Sequence, residues 1–162
     1  MKRILAVWFF IAFVLTGCSA QRGELSALAG FEIPSSAIES IDKHGGFHGD
    51  GVSYAAVSLP DDFKARADAV FTGTDGWRVF PLSENVAAAV YGDETHTAIF
   101  EIDGDIPVPP SVTSGYWRLI DRHPDSTDPH DDTDLHSRAS YNFTVILYDA
   151  AANTLYFYAL DT

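Results

Sequence analysis

Residues 141–160, YNFTVILYDAAANTLYFYAL, decide the fold prediction, because they contain the clearest β-hairpin pattern in the chain. Two runs rich in β-branched and aromatic residues, 141–148 and 155–160, flank a short stretch of small and polar residues. Such runs are typical of strands, and Asn153 suits the turn because asparagine tolerates left-handed backbone geometry. The segment therefore predicts two antiparallel strands joined by a turn over 149–154.

Shorter sequence patterns before residue 141 predict the other strands and helices of the same domain. Short apolar runs predict three further strands, at 51–59, 97–102 and 116–121. A capping box formed by Ser36 and Glu39 predicts a helix over 36–45, while 60–71 and 83–91 carry further helix signals. Helices collected early and strands collected late are typical of an α+β fold. We therefore expect a mainly antiparallel sheet, two or three short helices in the N-terminal half, and a C-terminal hairpin.

The N-terminal segment has the composition of a bacterial secretion signal. Lys2 and Arg3 precede residues 4–15, which contain no polar side chain. Twelve helical residues rise only about 18 Å, less than the roughly 30 Å of a bilayer core, which favours a signal peptide over a membrane span. Residues 15–18 (LTGC) are similar to the lipobox of bacterial lipoproteins. We expect cleavage after residue 17 and lipid attachment at Cys18; the alternative is an ordinary signal peptide.

Processing of this kind would leave one domain outside the cytoplasm. The prediction divides the chain into a signal peptide (1–17), a tether (18–30) that begins with lipidated Cys18, and a single globular α+β domain (31–162). Cys18 is the only cysteine, so the domain contains no disulfide. The acyl chains would anchor the protein to the extracytoplasmic face of the cell membrane.

Net charge narrows the range of partners. The chain carries a net charge of −13, and loss of Lys2 and Arg3 with the signal would lower it to −15. Such an acidic chain is a poor match for nucleic acid, whose binding requires a basic face. It is compatible with a bound cation, or with a cell-envelope or basic protein partner, and also with a surface that only keeps the protein soluble.

Two segments contain candidate ligands for a metal ion. In HGGFHGDG (44–51), His44, His48 and Asp50 are residue types that bind zinc, with His123 as a further candidate. The alternative is a structural turn, since the glycines can end one element and lead into the next strand. These four residues form the zinc hypothesis.

The second segment is the polar stretch 121–138 (DRHPDSTDPHDDTDLHSR). Its oxygen-rich composition suits calcium, and the alternating positions of Asp128, Asp132 and Asp134 make them the candidate calcium ligands. The stretch lacks the glycine and the final glutamate of an EF-hand loop. The alternative is a solvated charged loop without a ligand.

Several short stretches occur together in an order typical of one protein family. They are HGGFHGDG (44–51), Trp77 with PLSEN (81–85), YG (91–92), GYW (115–117), DRH (121–123), YNFT (141–144) and LYFY (155–158). Together they resemble an uncharacterised family of small exported or lipid-anchored proteins from clostridia-like Gram-positive bacteria. The resemblance covers residues 42–162 and implies an exported compartment; it implies no activity.

The expected function is therefore binding rather than catalysis. No Gly-x-Ser-x-Gly elbow or His-Glu-x-x-His helix occurs, and no nucleophile stands out as catalytic. We expect a membrane-anchored extracytoplasmic binding or interaction domain. The alternative is a metal-binding domain or metal-dependent enzyme that uses His44, His48 and Asp50 with His123 or the aspartates at 121–134.

Overall fold

A computed structural model of the chain describes residues 20–45, 49–98, 100 and 104–162. The described residues fall into two compact units, which divide after Pro34. Within the described part, no helix is both long and apolar enough to cross a membrane.

In the first unit, residues 20–29 are helical (α1), where the sequence predicted a tether. Alanine and leucine make up half of this stretch, and they are strong helix formers. The Ser26 hydroxyl donates to the Arg22 carbonyl (2.7 Å) and accepts the Ile33 amide (3.0 Å). These bonds connect the helix to the residues that follow it.

The second unit is built on a six-stranded antiparallel sheet, in the order β1-β2-β6-β5-β4-β3. Its strands are β1 (Ala37–Asp42), β2 (Gly51–Ser58), β3 (Trp77–Val79), β4 (Gly115–Asp121), β5 (Asn142–Asp149) and β6 (Thr154–Asp161). Its helices are α2 (Asp61–Lys64), α3 (Ala67–Thr72) and α4 (Glu84–Tyr91). The α+β prediction with a mainly antiparallel sheet is confirmed.

The C-terminal hairpin forms as predicted. Strands β5 and β6 pair in register from Asn142↔Asp161 to Asp149↔Thr154. Asn153 adopts a left-handed φ of 51°, and the Asp149 carboxylate accepts two amides of the turn. These local hydrogen bonds shape the turn. The Asn153 side chain also donates to the Leu59 carbonyl (2.9 Å), and the Ala150 amide donates to the Ser114 carbonyl (3.1 Å).

Alternation along the strands gives the sheet two faces. The first face carries Tyr54, Trp117 and Tyr158, which belong to one core together with Val86 and Ala89 of α4. The second face carries Tyr116 and Tyr148. There, Phe63 of α2 and Phe71 of α3 lie against Tyr148, with ring centroids 6.0 and 4.6 Å away.

The helices predicted over 60–71 and 83–91 form at the predicted positions, but the first of them is divided into two. The Ser83 hydroxyl accepts the Val86 amide (3.3 Å) and caps α4, as predicted. The segment 60–71 forms two helices instead of one, because the Arg66 amide bonds the Phe63 carbonyl (2.9 Å) and tightens the end of α2.

The helix predicted over 36–45 is wrong. Residues Ala37–Asp42 instead form β1, which pairs with β2 along its whole length. A capping box is a short local signal, whereas the ladder with β2 supplies every residue of this segment with a paired neighbour. Ile38 and Ile41 lie on opposite faces of the sheet and are half-buried.

The strand predicted over 97–102 is also wrong wherever the structure describes it. Residues 97 and 98 form no strand and Phe100 lies in a 3₁₀ turn, while 99 and 101–103 lie outside the described residues. Ala98 and Phe100 are buried, and Phe100 belongs to the core of the first face. The apolar pattern at these two positions therefore indicates burial and not strand pairing.

Candidate functional site

Some of the predicted functional residues lie outside the residues that the structure describes. Residues 1–19, with the signal peptide and Cys18, are among them, and so is His48. Cleavage, lipidation and the contribution of His48 to a metal site therefore stay predictions.

His44 lies at the end of β1 and contacts two carboxylates through its ring. Nδ1 is 2.6 Å from Oδ1 of Asp42, and Nε2 is 3.0 Å from Oδ2 of Asp161. A carboxylate oxygen only accepts hydrogen bonds, so both contacts are satisfied together only by the doubly protonated imidazolium. Burial by itself lowers the pKa of His44, but the two carboxylates outweigh burial and raise that pKa above its ordinary value.

Asp161 extends this contact to a further cation. Its Oδ1 accepts Nη2 of Arg122 (3.0 Å), and Nη1 of the same arginine donates to the Thr144 hydroxyl (2.6 Å). We call Asp42, His44, Arg122 and Asp161 the Asp161 cluster. It contains two cations and two carboxylates, and it ties together the ends of β1, β4 and β6.

The other zinc candidates have separate surroundings. Asp50 is exposed, and its carbonyl accepts the Gly45 amide (3.2 Å). His123 accepts the Asp125 amide at Nδ1 (3.2 Å) and contacts the Ser140 hydroxyl through Nε2 (3.2 Å).

Among residues that the structure describes, no three His, Cys, Asp or Glu side chains are grouped to hold a metal ion. A metal binds the neutral imidazole, so zinc at His44 would have to displace Asp42 or Asp161. The zinc hypothesis, which includes His48, stays a prediction.

Residues 121–138, which we call the acidic loop, do not bring the calcium candidates together. Asp128 accepts the His130 amide through Oδ1 (2.9 Å), and Asp132 contacts Arg78 (3.4 Å). The Asp134 carbonyl accepts the Ser137 hydroxyl (2.9 Å). Among the described residues no three metal-ligating side chains are grouped here, and the calcium site stays a prediction.

Packing holds the acidic loop firmly on the domain. Leu135 is buried in the core of the first face, and the His130 ring bonds the Leu119 carbonyl (2.6 Å). The His130 carbonyl accepts Nη2 of Arg78 (2.6 Å). Arg138 pairs with the buried carboxylate of Asp121 at the base of the loop. The backbone of the loop is therefore bonded to the domain at several points, and the alternative of a solvated charged loop without a ligand stays open.

Four carboxylates of the loop face solvent from this fixed backbone: Asp125, Asp128, Asp131 and Asp134. Asp131 also accepts the Thr133 hydroxyl (2.6 Å) and amide (3.0 Å). Both bonds hold the pKa of Asp131 below its ordinary value, and the bond from the Thr133 hydroxyl has the larger effect. The loop thus presents a pre-arranged negative surface.

Sequence reasoning missed Asp161 as a site residue. It is the last residue of β6 and follows a strongly apolar strand, which gives no local signal of a partner. Its contacts with His44 and Arg122 join residues that are 117 and 39 positions apart.

Comparisons with family models, with curated proteins and with solved structures found no match to this chain.

Proposed function

We propose that this protein is a lipid-anchored extracytoplasmic binding protein that presents its acidic loop to a basic partner in the cell envelope. The observation that carries the proposal is the set of four exposed aspartates on a loop that is bonded to the domain at several points.

Rigidity is what makes this loop a good interaction surface. A loop already held by Leu135, His130 and Arg138 loses little conformational entropy when a partner binds. Its charges attract a basic partner over distance and raise the association rate, an effect that salt screens. The net charge of −13 supports the same choice of partner.

The loop proposal is tested by a charge-neutral variant in which Asp125, Asp128, Asp131 and Asp134 are all replaced by Asn. Asn keeps an oxygen that can accept the turn hydrogen bonds. The matched control removes four exposed carboxylates elsewhere, with Glu39→Gln, Asp61→Asn, Asp62→Asn and Glu94→Gln.

Detergent-solubilised envelopes would be passed over each immobilised full-length protein. We expect wild type and the control to retain the same basic protein, with a retention that falls as salt rises, and the loop variant to lose it. Equal retention by the loop variant would contradict the proposal, and so would no retained protein at physiological salt.

The lipid anchor is supported by the apolar segment 4–15 and by Cys18 directly after it. Cys18→Ala should move the protein from the membrane fraction to the soluble extracytoplasmic fraction and abolish labelling by a palmitate analogue. Undiminished palmitate labelling of this variant would refute the anchor and leave the loop experiment unaffected.

A further inference from the structure

We propose that the second face of the sheet carries a binding site for a neutral sugar ring. A cleft of about 320 Å³ opens where α2 and α3 meet the β3–β4 edge. Its lining includes Lys64, Asp68, Val79, Gly115, Tyr116 and Tyr148. The volume is within the usual range of about 300–1,000 Å³ for small-molecule sites. The site goes beyond the proposed function, because the acidic loop packs on the first face.

Aromatic packing makes the floor of this cleft rigid. Tyr116 stacks on Phe71 with a centroid distance of 4.8 Å and an interplanar angle of 25°. Phe71 also lies 4.6 Å from the Tyr148 ring, and Tyr148 is fully buried. Side chains fixed in this way keep the floor in one arrangement before a ligand arrives.

Glycine at position 115 lets β4 approach β5 closely at the wall of the cleft. Its φ of 133° is a conformation that other residues rarely adopt, and an added Cβ would collide with the Tyr148 carbonyl. The close approach of β4 and β5 therefore requires glycine here, and the cleft wall has no side chain at this position.

Hydrogen-bond donors and acceptors both lie at the rim of the cleft. The Tyr116 hydroxyl donates to Oδ1 of Asp68 (3.0 Å), which leaves Oδ2 as an acceptor. The Lys64 ammonium, which has no ion-pair or hydrogen-bond partner among the described residues, supplies donors. Burial, followed by the bond to Asp68, raises the pKa of Tyr116, so its hydroxyl stays protonated at neutral pH.

This combination matches the chemistry of a sugar ring. A pyranose has an apolar C–H face that can lie on tyrosine and valine, and hydroxyl groups that both donate and accept. Lys64 and Asp68 have opposite charges and are exposed, so the cleft has no net attraction for an ion and their charges remain hydrated. Val79, which is 63% exposed, extends the apolar wall.

The test is calorimetric titration of the full-length protein, in a detergent without a sugar headgroup, with cellotriose, chitotriose and maltotriose as probes. We expect at least one probe to bind, with a dissociation constant in the millimolar range or below. Lys64→Gln and Asp68→Asn should each raise that constant about tenfold, since each removes a charged hydrogen-bonding group.

Two valines provide a matched pair of variants. Val79→Ser should weaken sugar binding, whereas Val108→Ser should leave it within about twofold, because Val108 is equally exposed (66%) and does not line the cleft. Val79 and Val108 are both exposed, so neither change should affect folding, which a thermal melt would verify.

The proposal is overturned if none of the three sugars binds, or if Val108→Ser weakens binding as much as Val79→Ser. Stronger binding of a charged monosaccharide than of the neutral probes would also contradict it. None of these results bears on the acidic loop, because that surface is tested with a protein partner and different variants.

Discussion

The ion pair between Arg138 and Asp121 provides the sharpest test of how the acidic loop is held. The Asp121 side chain is 1% exposed and that of Arg138 is 12% exposed. Removing Arg138 would leave the buried carboxylate with one remaining bond, from the His123 amide (3.0 Å). Breaking a buried pair on one side typically costs about 3–5 kcal/mol, because the other charge stays buried without compensation.

We therefore expect Arg138→Met to lower the free energy of unfolding by about 3–5 kcal/mol. For a domain of this size, that loss corresponds to a fall in Tm of roughly 10–20 °C. Urea denaturation followed by circular dichroism would give the free energy, and a thermal melt would give Tm. Lys43→Met is the matched control, because the Lys43–Asp105 pair (2.6 Å) is exposed and should contribute far less.

The double variant Asp121→Asn/Arg138→Met tests the cause. Asn keeps an oxygen for the His123 amide and removes the buried charge, so the double variant should be more stable than Arg138→Met by about 2 kcal/mol. The reasoning fails if Arg138→Met lowers the free energy of unfolding by less than about 1 kcal/mol. It also fails if the loss in the double variant equals the sum of the losses measured for Asp121→Asn and Arg138→Met alone.

Three further predictions concern other parts of the domain. Tyr158→Phe should leave the free energy of unfolding unchanged or raise it by up to about 1 kcal/mol, because the buried Tyr158 hydroxyl has no hydrogen-bond partner among the described residues. If urea denaturation shows that the variant is less stable by more than about 1 kcal/mol, the hydroxyl has a partner. Ser83→Ala should lower the free energy of unfolding by about 1 kcal/mol, because it removes the hydroxyl that caps α4. An unchanged free energy in urea denaturation would contradict this role of Ser83. By NMR, His44 should titrate above its ordinary pKa of 6.5, and Asp161→Asn should lower that value. Because the folded-state pKa is raised, this stabilisation is complete below pH 6.5 and is lost as pH rises through the folded pKa; an unchanged titration in the variant would argue against the contact.

The elements that the sequence predicted correctly are those with local causes. The hairpin at 141–160 contains its own turn, closed by Asp149 and the left-handed Asn153. Helix α4 begins with a cap that lies three residues from its partner, Ser83 to Val86. In both cases the residues that form the interaction are neighbours in the chain, so the pattern is visible in the sequence.

The errors arose where a distant partner decided the structure. Segment 37–42 carries a helix-start signal, but its pairing with β2 makes it a strand. Residues 97–102 have the composition of a strand, but Phe100 is placed by burial in the core of the first face. A local signal is worth about 1 kcal/mol, which a full strand ladder or a buried phenylalanine exceeds.

The candidate sites follow the same division. The sequence showed that 121–138 is rich in carboxylates, but the packing of Leu135 and His130 decided that four of them are displayed on a fixed backbone. The cleft at Tyr116 had no sequence signal, because its walls come from two helices and three strands.

The sequence by itself determined the acidic charge, the single cysteine and the C-terminal hairpin, because composition and neighbouring residues are sufficient for each. Only the tertiary structure decided that β1 is a strand, that His44 lies between Asp42 and Asp161, and that a tyrosine-floored cleft exists. The physical reason is that these features depend on hydrogen bonds and packing between segments far apart in the chain, which form only when the sheet is assembled.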